Sequence, residues 1–519
     1  MNCKPRQTIV ILFSWVLILL FSCQGNRLNT DEKKLAAEIL LKEKESEESA
    51  RRASEKQLED TLKKLPPEFR FRENRSVDPS RPPVVIDIAG SLNNIKDFSL
   101  SDVASKITYI RIQEVPDSGF SRVMKFKYYL TDKNIIAVNP SGILLYARDG
   151  KFITTIVKNE FTGIKVESDR MTVMGDNTFI GGGTTVWATG ESMFYRYRNS
   201  FTGQVYMMEY DCSQLPVNLT GHFDPEKPDQ IRGMGKVAID LNHGKSTPSP
   251  SRKPSSGMWS AGPDFLYQRL GTFLLDHNTY SCQLGNDYEI GGKYMLGIFN
   301  KQGDTLTTFT KFDKLTSFSK SVMRGTDRGV QYENKGKLFI RSAFNDTVFQ
   351  VLPPNRLLPV YLLKLGSFKL SIKEGMDPDF KLNGKIIPES WAETKNFIFL
   401  SFTKDSYDCS YTREKRQLKL YYALFSKSTH KLDIVKGDPF DYDVEILKNN
   451  LDGGVPVWPS SYMIGINGEI LISLKGRELK ERVKSKEFSA SAAPIAKKNE
   501  FKKLAQTVSD SEDILMIVE

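Results

Sequence analysis

Cysteine and histidine are scarce in this sequence, and long apolar runs are almost absent. The 519 residues include 5 cysteines and 4 histidines, too few for a disulfide-built scaffold or for a metal enzyme with several histidine ligands. The single long apolar run, residues 9–21, excludes a protein with several membrane-spanning helices. A hydrophobic fraction of 39% and a charged fraction of 26% are typical of a globular protein.

Catalytic and cofactor-binding motifs are also missing. The sequence contains no HExxH, GxSxG or calcium-loop pattern. Residues 233–238, GMGKVA, match the letters of a dinucleotide fingerprint, but a proline-containing segment precedes them where a strand is required. We therefore expect no cofactor and assign no catalytic residue.

The first residues have the features of a secretory signal. Lys4 and Arg6 precede the apolar run, and residues 20–23, LFSC, resemble the lipobox of bacterial lipoproteins. This resemblance implies that residues 1–22 are removed and that Cys23 carries acyl chains such as palmitate. Gln24 in place of aspartate implies anchoring in the outer membrane, on its periplasmic or its surface side. A plain signal peptide or an uncleaved anchor is the alternative. A secreted, anchored protein is not expected to bind nucleic acid.

Residues 23–83 are predicted to form a tether. Residues 31–65 contain no glycine or proline and are rich in Ala, Leu, Glu, Lys and Arg, which favours a solvated helix. A stable coiled coil is not expected, because residues 44–57 contain no large apolar side chain. The five prolines between residues 66 and 83 then predict an extended joint.

From residue 84 onward the pattern is that of an all-β domain. Short segments rich in β-branched and aromatic residues alternate with Gly, Asn and Asp turns. Strands are predicted at residues 108–112, 135–138, 143–146, 152–156, 294–299, 337–341, 397–402, 418–424, 470–474 and 514–518. Similar turns near residues 149, 302, 346 and 428 indicate a repeated hairpin unit. This repetition predicts a six-bladed β-propeller over residues 84–519, although spacing alone also allows five or seven blades.

Three stretches give the domain a more specific resemblance. Residues 107–112, ITYIRI, look like the opening of the six-bladed β-propeller lipoproteins of Bacteroidetes. Residues 345–366 are similar to that family's most recognisable stretch, and residues 504–517 resemble its last helix and final strand. The resemblance implies that strands 108–112 and 514–518 share one sheet and close the ring. It implies no site residue, because the family has no agreed catalytic set.

The candidate site residues are few. Trp391 and Trp458 lie in proline-containing segments typical of loops, where an exposed ring could stack on a sugar or a peptide side chain. The alternative is that each tryptophan packs against its own blade. Asp441, Asp443 and Glu445 alternate, so on a strand they would share one face and could hold a hard cation. A solvated acidic strand is the alternative.

Two further features leave alternatives open. Residues 475–503 hold ten Lys or Arg against four Glu. This segment could contact anionic lipid headgroups or acidic glycans, or it could be the solvated face of a connecting helix. One disulfide could form among Cys212, Cys282 and Cys409, although buried small residues are the simpler interpretation.

Together these features predict an outer-membrane lipoprotein whose propeller is a binding or scaffold module. Its partners would be the membrane, through the N-terminal lipid, and glycans, peptides or other envelope proteins. The alternative is a carbohydrate-active enzyme, a lyase or a glycoside hydrolase. In that case acids or a histidine would converge in the central funnel, with carboxylates roughly 5–10 Å apart for hydrolysis.

Overall fold

The computed structural model of the protein describes most of the β-domain. It covers residues 77–115, 126–158, 272–283, 294–312, 327–404, 419–436 and 446–519, with gaps of one to four residues inside these ranges, and the strands between residues 161 and 240. Lys42, Glu45 and Ser49 of the predicted tether are helical and exposed. The signal segment, Cys23 and the rest of the predicted helix lie outside the described residues. The chain divides into two units, Met1–Glu73 and Asn74–Glu519, and the β-structure belongs to the second.

The second unit is built mostly from strands. In chain order they are β1 (Val84–Asp87), β2 (Phe98–Ser99), β3 (Ile107–Arg111), β4 (Lys127–Leu130), β5 (Asn134–Asn139), β6 (Gly142–Ala147), β7 (Phe152–Lys158), β8 (Phe161–Glu167), β9 (Arg170–Gly175), β10 (Val186–Thr189), β11 (Ser192–Arg198), β12 (Val205–Asp211), β13 (Lys236–Asp240), β14 (Thr272–Leu274), β15 (Thr279–Gln283), β16 (Tyr294–Asn300), β17 (Thr305–Thr310), β18 (Val330–Asn334), β19 (Lys337–Arg341), β20 (Thr347–Leu352), β21 (Arg356–Lys364), β22 (Ile386–Glu393), β23 (Phe397–Lys404), β24 (Lys419–Ser426), β25 (Lys431–Lys436), β26 (Leu447–Lys448), β27 (Ile470–Lys475) and β28 (Asp513–Val518). The helices are α1 (Ile88–Ser91), α2 (Ile372–Met376), α3 (Gly476–Lys484), α4 (Lys486–Ala490) and α5 (Ile495–Thr507).

Each of the ten strands predicted from the sequence is present to within a residue or two. The most apolar of them, such as β6 and β23, are also the most buried, because each lies inside its sheet with neighbours on both sides. A two-residue turn, Lys335 and Gly336, joins β18 and β19. Both residues have positive φ, at 52° and 68°, the combination that a two-residue turn of this hand requires.

The strands form small, mostly antiparallel sheets in a propeller-like arrangement. Five sheets have four or five strands: β4–β7, β10–β13, β14–β17, β18–β21 with β1 added at its edge, and β22–β25. A three-stranded sheet has the order β27-β28-β3, and two further sheets, β8-β9 and β2-β26, have two strands each. The prediction of an all-β, propeller-like domain is therefore confirmed. The expected number of blades is not matched, since only five sheets in the described part of the chain have four strands or more.

Successive sheets pack face to face through apolar clusters. The β18–β21 sheet meets the β22–β25 sheet through a cluster that includes Val348 and Phe402. The β22–β25 sheet meets the three-stranded sheet through a second cluster, which includes Phe399 and Met516. A third cluster, including Leu144 and Leu515, joins the three-stranded sheet to β4–β7. On the other side of β18–β21, the stacked rings of Phe312 and Phe349, 4.9 Å apart, connect it to the segment after β17.

The three-stranded sheet, here called the closing sheet, joins distant parts of the sequence. β28 pairs with β27 on one side and with β3 on the other, both antiparallel. Alternate side chains of β28 enter two different clusters: Ile514, Met516 and Val518 face the β22–β25 sheet, whereas Leu515 and Ile517 face β4–β7. The prediction that residues 108–112 and 514–518 share one sheet is confirmed.

Residues 77–99, which precede β3 in the sequence, are here called the strap. They run along the outer strands of two other sheets. Val77 bridges to Leu357, and β1 then pairs in parallel with β21. Ile95 bridges to Ile434 of β25, and β2 pairs with β26. The strap therefore covers edge strands that would otherwise present unpaired backbone groups. Its first pairing falls within the segment for which the sequence predicts an extended joint.

The helices are short and lie at the periphery of the sheets. α3, α4 and α5 form an insertion between β27 and β28, and α5 overlaps residues 504–517, which resemble the last helix and final strand of the propeller family. Leu479, Phe488 and Phe501 anchor this insertion in the cluster beneath the closing sheet. No helix among the described residues is long and apolar enough to span a membrane.

Candidate functional site

Trp391 does not lie at a surface. It belongs to β22, its side chain is only 3% exposed, and it packs against the rings of Tyr332 and Tyr361. Pro388-Glu389-Ser390 has the composition of a loop, but it forms a bulge in β22, the edge strand of its sheet. Edge strands and bulges are the places where a sheet tolerates proline. The expectation of an exposed aromatic face at Trp391 is therefore wrong.

Trp458 is partly buried, in an irregular segment between β26 and β27. Its ring stands edge-on to Phe399 at 5.2 Å and to Tyr422 at 5.1 Å. Both partners belong to the β22–β25 sheet, so the indole forms part of the cluster against the closing sheet. The alternative interpretation, in which the tryptophan packs within the domain, describes this position.

The other candidate residues lie largely outside the described part of the chain. Asp441, Asp443 and Glu445 are among these, and no group of metal-ligating side chains occurs in the residues that are described. Cys212 and Cys409 also fall outside it, whereas Cys282 lies in β15. His430 is exposed in the turn between β24 and β25, and its ring stacks on Phe425.

A buried polar cluster joins the β18–β21 and β22–β25 sheets. The carboxylate of Glu393, 5% exposed, accepts hydrogen bonds from the hydroxyls of Tyr332 at 2.5 Å and Tyr361 at 2.8 Å. The ammonium of Lys427 donates a third bond, at 2.6 Å. Burial, followed by the nearby Glu393 charge, raises the pKa of both phenols, so they stay protonated and continue to donate. This Glu393 cluster is fully occupied by its own side chains, which indicates a structural role.

An open pocket lies where the closing sheet meets the β4–β7 sheet. We call it the seam pocket. It has a volume of about 630 Å³ and is lined by the end of β3, the turn between β6 and β7, and the segment before β28. The lining residues are Arg111, Ile112, Gln113, Glu114, Asp149, Gly150, Lys151, Ser509 and Glu512. Strands from distant parts of the sequence thus supply its walls.

Arg111 and Glu512 form the fixed wall of the seam pocket. The guanidinium of Arg111 binds both carboxylate oxygens of Glu512, at 2.5 and 3.0 Å, the geometry of a bidentate pair. Burial tends to raise the pKa of Glu512, but hydrogen bonds from Arg111 and from the Ser509 amide outweigh it, so the net pKa is lowered. The carboxylate is therefore ionised at neutral pH and holds the guanidinium at the rim.

The turn between β6 and β7 forms the opposite wall. Gln113 donates its amide to the carbonyl of Gly150 at 2.9 Å, and its side-chain oxygen accepts the amide of Phe152 at 3.0 Å. Gly150 has φ of 88°, and a Cβ there would lie 2.1 Å from the carbonyl oxygen of Arg111. Only glycine allows the turn to approach β3 this closely. The two sheets are thus locked together at the pocket.

An exposed ion pair lies on the rim of this turn. The ammonium of Lys151 lies 3.0 Å from the carboxylate of Asp149, and the two side chains are 77% and 55% exposed. Hydrogen bonds from the Lys151 side chain and backbone lower the pKa of Asp149. Because solvent screens such a pair, it can exchange partners readily when a charged ligand enters.

The lining of the seam pocket is polar and carries charges of both signs. A general acid for glycoside cleavage needs a raised pKa, whereas the pKa values of Asp149 and Glu512 are lowered. The lining residues include no aromatic side chain on which a sugar ring could stack. They do include charged groups of both signs and polar groups such as Gln113 and Ser509. Such a lining can bind a polar chain that carries its own charges.

Sequence reasoning did not identify the seam pocket, although it found both of its walls separately. The sequence predicts a turn near residue 149 and a strand at residues 108–112. The prediction that residues 108–112 and 514–518 pair already implies that Arg111 lies near Glu512. What the sequence lacked was the packing of the β6–β7 turn against that pair.

The fold and the seam pocket define a propeller-like β-protein with a polar groove between two sheets. A family model described as a domain of unknown function, DUF4933, matches residues 66–485, so the chain belongs to that family. No curated protein matches it.

Several solved structures are similar in fold, at low identity. A protein from Bacteroides fragilis described as exported has 11% identity and a TM-score of 0.46, with 84% of this chain and 99% of that chain covered. A member of the DUF4221 family from Bacteroides vulgatus has 9% identity and a TM-score of 0.36, covering 80% and 97%. A protein of unknown function from Bacteroides thetaiotaomicron has 11% identity and a TM-score of 0.30, covering 82% and 74%.

Proposed function

We propose that the protein is a binding or scaffold module of the cell envelope that holds a polypeptide segment in its seam pocket. The observation that carries this proposal is the pocket itself, whose charged rim is fixed by Arg111 and Glu512 and by the turn at Gly150. Preorganised polar groups of this kind reduce the entropy lost when a ligand binds.

A polypeptide suits the pocket better than a glycan does. A peptide brings backbone donors and acceptors for Gln113 and Ser509, and side chains of either charge for the rim. A glycan would gain little from a lining without an aromatic ring. The exposed pair of Lys151 and Asp149 can open toward an acidic and a basic side chain of the ligand at the same time.

The proposed envelope location rests on the N-terminal sequence. A signal of the form seen in residues 1–22, followed by Cys23, would place a lipid on the mature chain and tether it to the outer membrane. Growth with an alkyne-bearing fatty acid should label the wild-type protein and leave Cys23→Ala unlabelled. Equal labelling of both proteins would contradict the assignment of Cys23.

The closing sheet is proposed as the sixth blade of the propeller. Ile464 forms an isolated antiparallel bridge to Ile470 of β27, which supports the proposal of a fourth strand at that edge. With that strand the closing sheet would have the same size as its neighbours. Six blades would then occupy residues 84–519, as the repeated pattern in the sequence predicts.

Binding in the seam pocket can be tested with arrays of charged peptides and of glycans. The probe is the full-length Cys23→Ala protein, compared with the same protein carrying Lys151→Glu. We expect binding to peptides, weakened about tenfold by Lys151→Glu, because reversing one rim charge costs about 1.4 kcal/mol. Lys337→Glu, at an exposed strand end outside the pocket, is the matched control. Binding to glycans alone, or equal effects of the two substitutions, would contradict the proposal.

A further inference from the structure

The helical insertion between β27 and β28 presents a charged surface that the seam pocket does not use. α3, α4 and α5 are held on the domain by Leu479, Phe488 and Phe501, which are 0–2% exposed. Gly476, at the start of α3, lies so close to the carbonyl of Ser509 that a Cβ would meet it at 1.9 Å. The insertion is thus a fixed part of the domain surface.

About half of the basic residues in the insertion are neutralised within the protein. Lys475 pairs with Asp513 at 2.7 Å, Lys480 with Asp510 at 2.6 Å, and Lys497 with Glu500 at 2.7 Å. Arg477 lies near Glu481, and Arg482 donates to the carbonyl of Gly453. The four residues with carboxylate partners, Lys475, Arg477, Lys480 and Lys497, contribute little net charge.

Four further lysines form no salt bridge within 4.0 Å among the described residues, although Lys484 interacts electrostatically with Asp510 and Lys486 with Glu487. They are Lys484, Lys486, Lys502 and Lys503. All four are exposed. Lys502 lies over the ring of Phe488 at 5.7 Å, beside Lys498 at 5.2 Å. The ring orients these two ammonium groups without neutralising them. The insertion therefore carries a concentrated positive charge facing solvent.

The same insertion exposes one large apolar side chain. Ile495, at the first position of α5, is 78% exposed, the highest value among the large apolar residues that the structure describes. It precedes Lys502 by seven residues, two helical turns, so both lie on the same face of α5. Its neighbours Pro494 and Ala496 are exposed as well. An exposed apolar side chain on the same helix face as a lysine is typical of surfaces that contact a bilayer.

We propose that the surface formed by Ile495, Lys484, Lys486, Lys502 and Lys503 docks on an anionic lipid bilayer. The lysines would bind lipid headgroups, each contributing about 1 kcal/mol, while Ile495 enters the interface. An acidic glycan would satisfy the lysines equally well but would offer nothing to Ile495. The exposed isoleucine is therefore what favours a membrane over a polyanion. This docking is independent of the seam pocket.

Vesicle co-sedimentation tests the proposal with residues 24–519, a mature chain that lacks both the acyl chains on Cys23 and the apolar run of residues 9–21. We expect binding to phosphatidylcholine vesicles that contain phosphatidylglycerol, and little binding to phosphatidylcholine alone. The double substitution Lys502→Glu and Lys503→Glu should weaken binding about 30-fold or more, because two attractive charges are lost and then reversed. Lys337→Glu should leave binding unchanged.

Ile495→Ser separates the membrane from a polyanion. It should weaken vesicle binding about fivefold and leave the retention of the protein on heparin unchanged. All substituted residues are exposed, so melting temperatures should stay within a degree or two of the parent protein. Equal binding to neutral and anionic vesicles would overturn the proposal. So would retention on heparin without vesicle binding, or an Ile495→Ser variant that binds vesicles like its parent.

Discussion

Ile110 of β3 and Leu515 of β28 lie opposite each other in adjacent antiparallel strands, although they come from distant parts of the sequence. Both are buried in the cluster that joins the closing sheet to β4–β7. The closing sheet therefore forms only when the first and last parts of the β-domain are folded at the same time. Such long-range pairing makes the folding of the domain cooperative and slow relative to that of helical proteins.

The Glu393 cluster should contribute strongly to stability. Glu393→Ala removes the acceptor of two phenolic hydroxyls and the counter-ion of Lys427, which leaves buried donors without partners. We expect the free energy of unfolding to fall by about 2–4 kcal/mol, measured by urea titration. Lys395→Ala, two residues along the chain and exposed, is the control and should change stability by less than about 0.5 kcal/mol. Equal effects at both positions would show that the cluster is not structural.

The close approach of the β6–β7 turn to β3 predicts different outcomes at two glycines. Gly150 and Gly336 both have positive φ, but only at Gly150 would a Cβ meet backbone, the carbonyl of Arg111. Gly336→Ala should cost about 1 kcal/mol, from backbone strain alone. Gly150→Ala should cost about 3 kcal/mol or more, since the turn must also move away from the closing sheet. Urea unfolding of the two variants measures the difference, and equal losses would contradict the packing at the seam pocket.

Glu333 of β18 gives a dependence of stability on pH. Burial raises the pKa of its carboxyl to about 7, against a smaller opposing effect of the Gly336 amide. When the pKa of an acid is higher in the folded state than in the unfolded state, the protein loses stability as the pH rises from the unfolded-state pKa to the folded-state pKa. Between pH about 4.5 and about 7, the free energy of unfolding of the wild-type protein should therefore fall by about 2 kcal/mol more than that of Glu333→Gln. Glu481→Gln, at an exposed helical position, should follow the wild-type profile. Parallel profiles for wild type and Glu333→Gln would refute this.

The strap should stabilise the domain through its buried side chains. Ile86 is 0% exposed, whereas the adjacent Val85 is 41% exposed, because alternate residues of β1 face opposite sides. Ile86→Ala should lower the free energy of unfolding by about 2–5 kcal/mol, and Val85→Ala by less than about 0.5 kcal/mol. Thermal or urea unfolding of the two variants measures the difference. If the two substitutions had the same small effect, the packing of β1 on the β18–β21 sheet would not stabilise the domain.

The local features of the fold could be predicted from sequence because each has a local cause. Strands such as β6 and β23 are continuous apolar runs between turn residues, and the β6–β7 turn is visible in Arg148-Asp149-Gly150. The pairing of residues 108–112 with 514–518 came from a family resemblance. It could not have come from periodicity, which says nothing about partners far apart in the chain.

The features that were missed depend on tertiary contacts. Trp391 lies in a segment with the composition of a loop, and only the packing of Tyr332 and Tyr361 against it makes it a buried strand residue. β1 of the strap pairs in parallel with β21. β1 has only four residues and is followed by a short helix, so its sequence does not indicate which strand it pairs with. The Glu393 cluster combines side chains from four elements, none of which is unusual alone.

The melting temperature of a chain that ends at Glu512 tests the central claim most directly. This truncation removes the whole of β28 and with it five buried apolar side chains, Ile514, Leu515, Met516, Ile517 and Val518. At about 1.5–3 kcal/mol each, their loss equals or exceeds the whole stability of a typical domain. We therefore predict that the shortened protein shows no cooperative unfolding transition. A transition at the same temperature as that of the full-length protein would mean that the closing sheet does not hold the domain together.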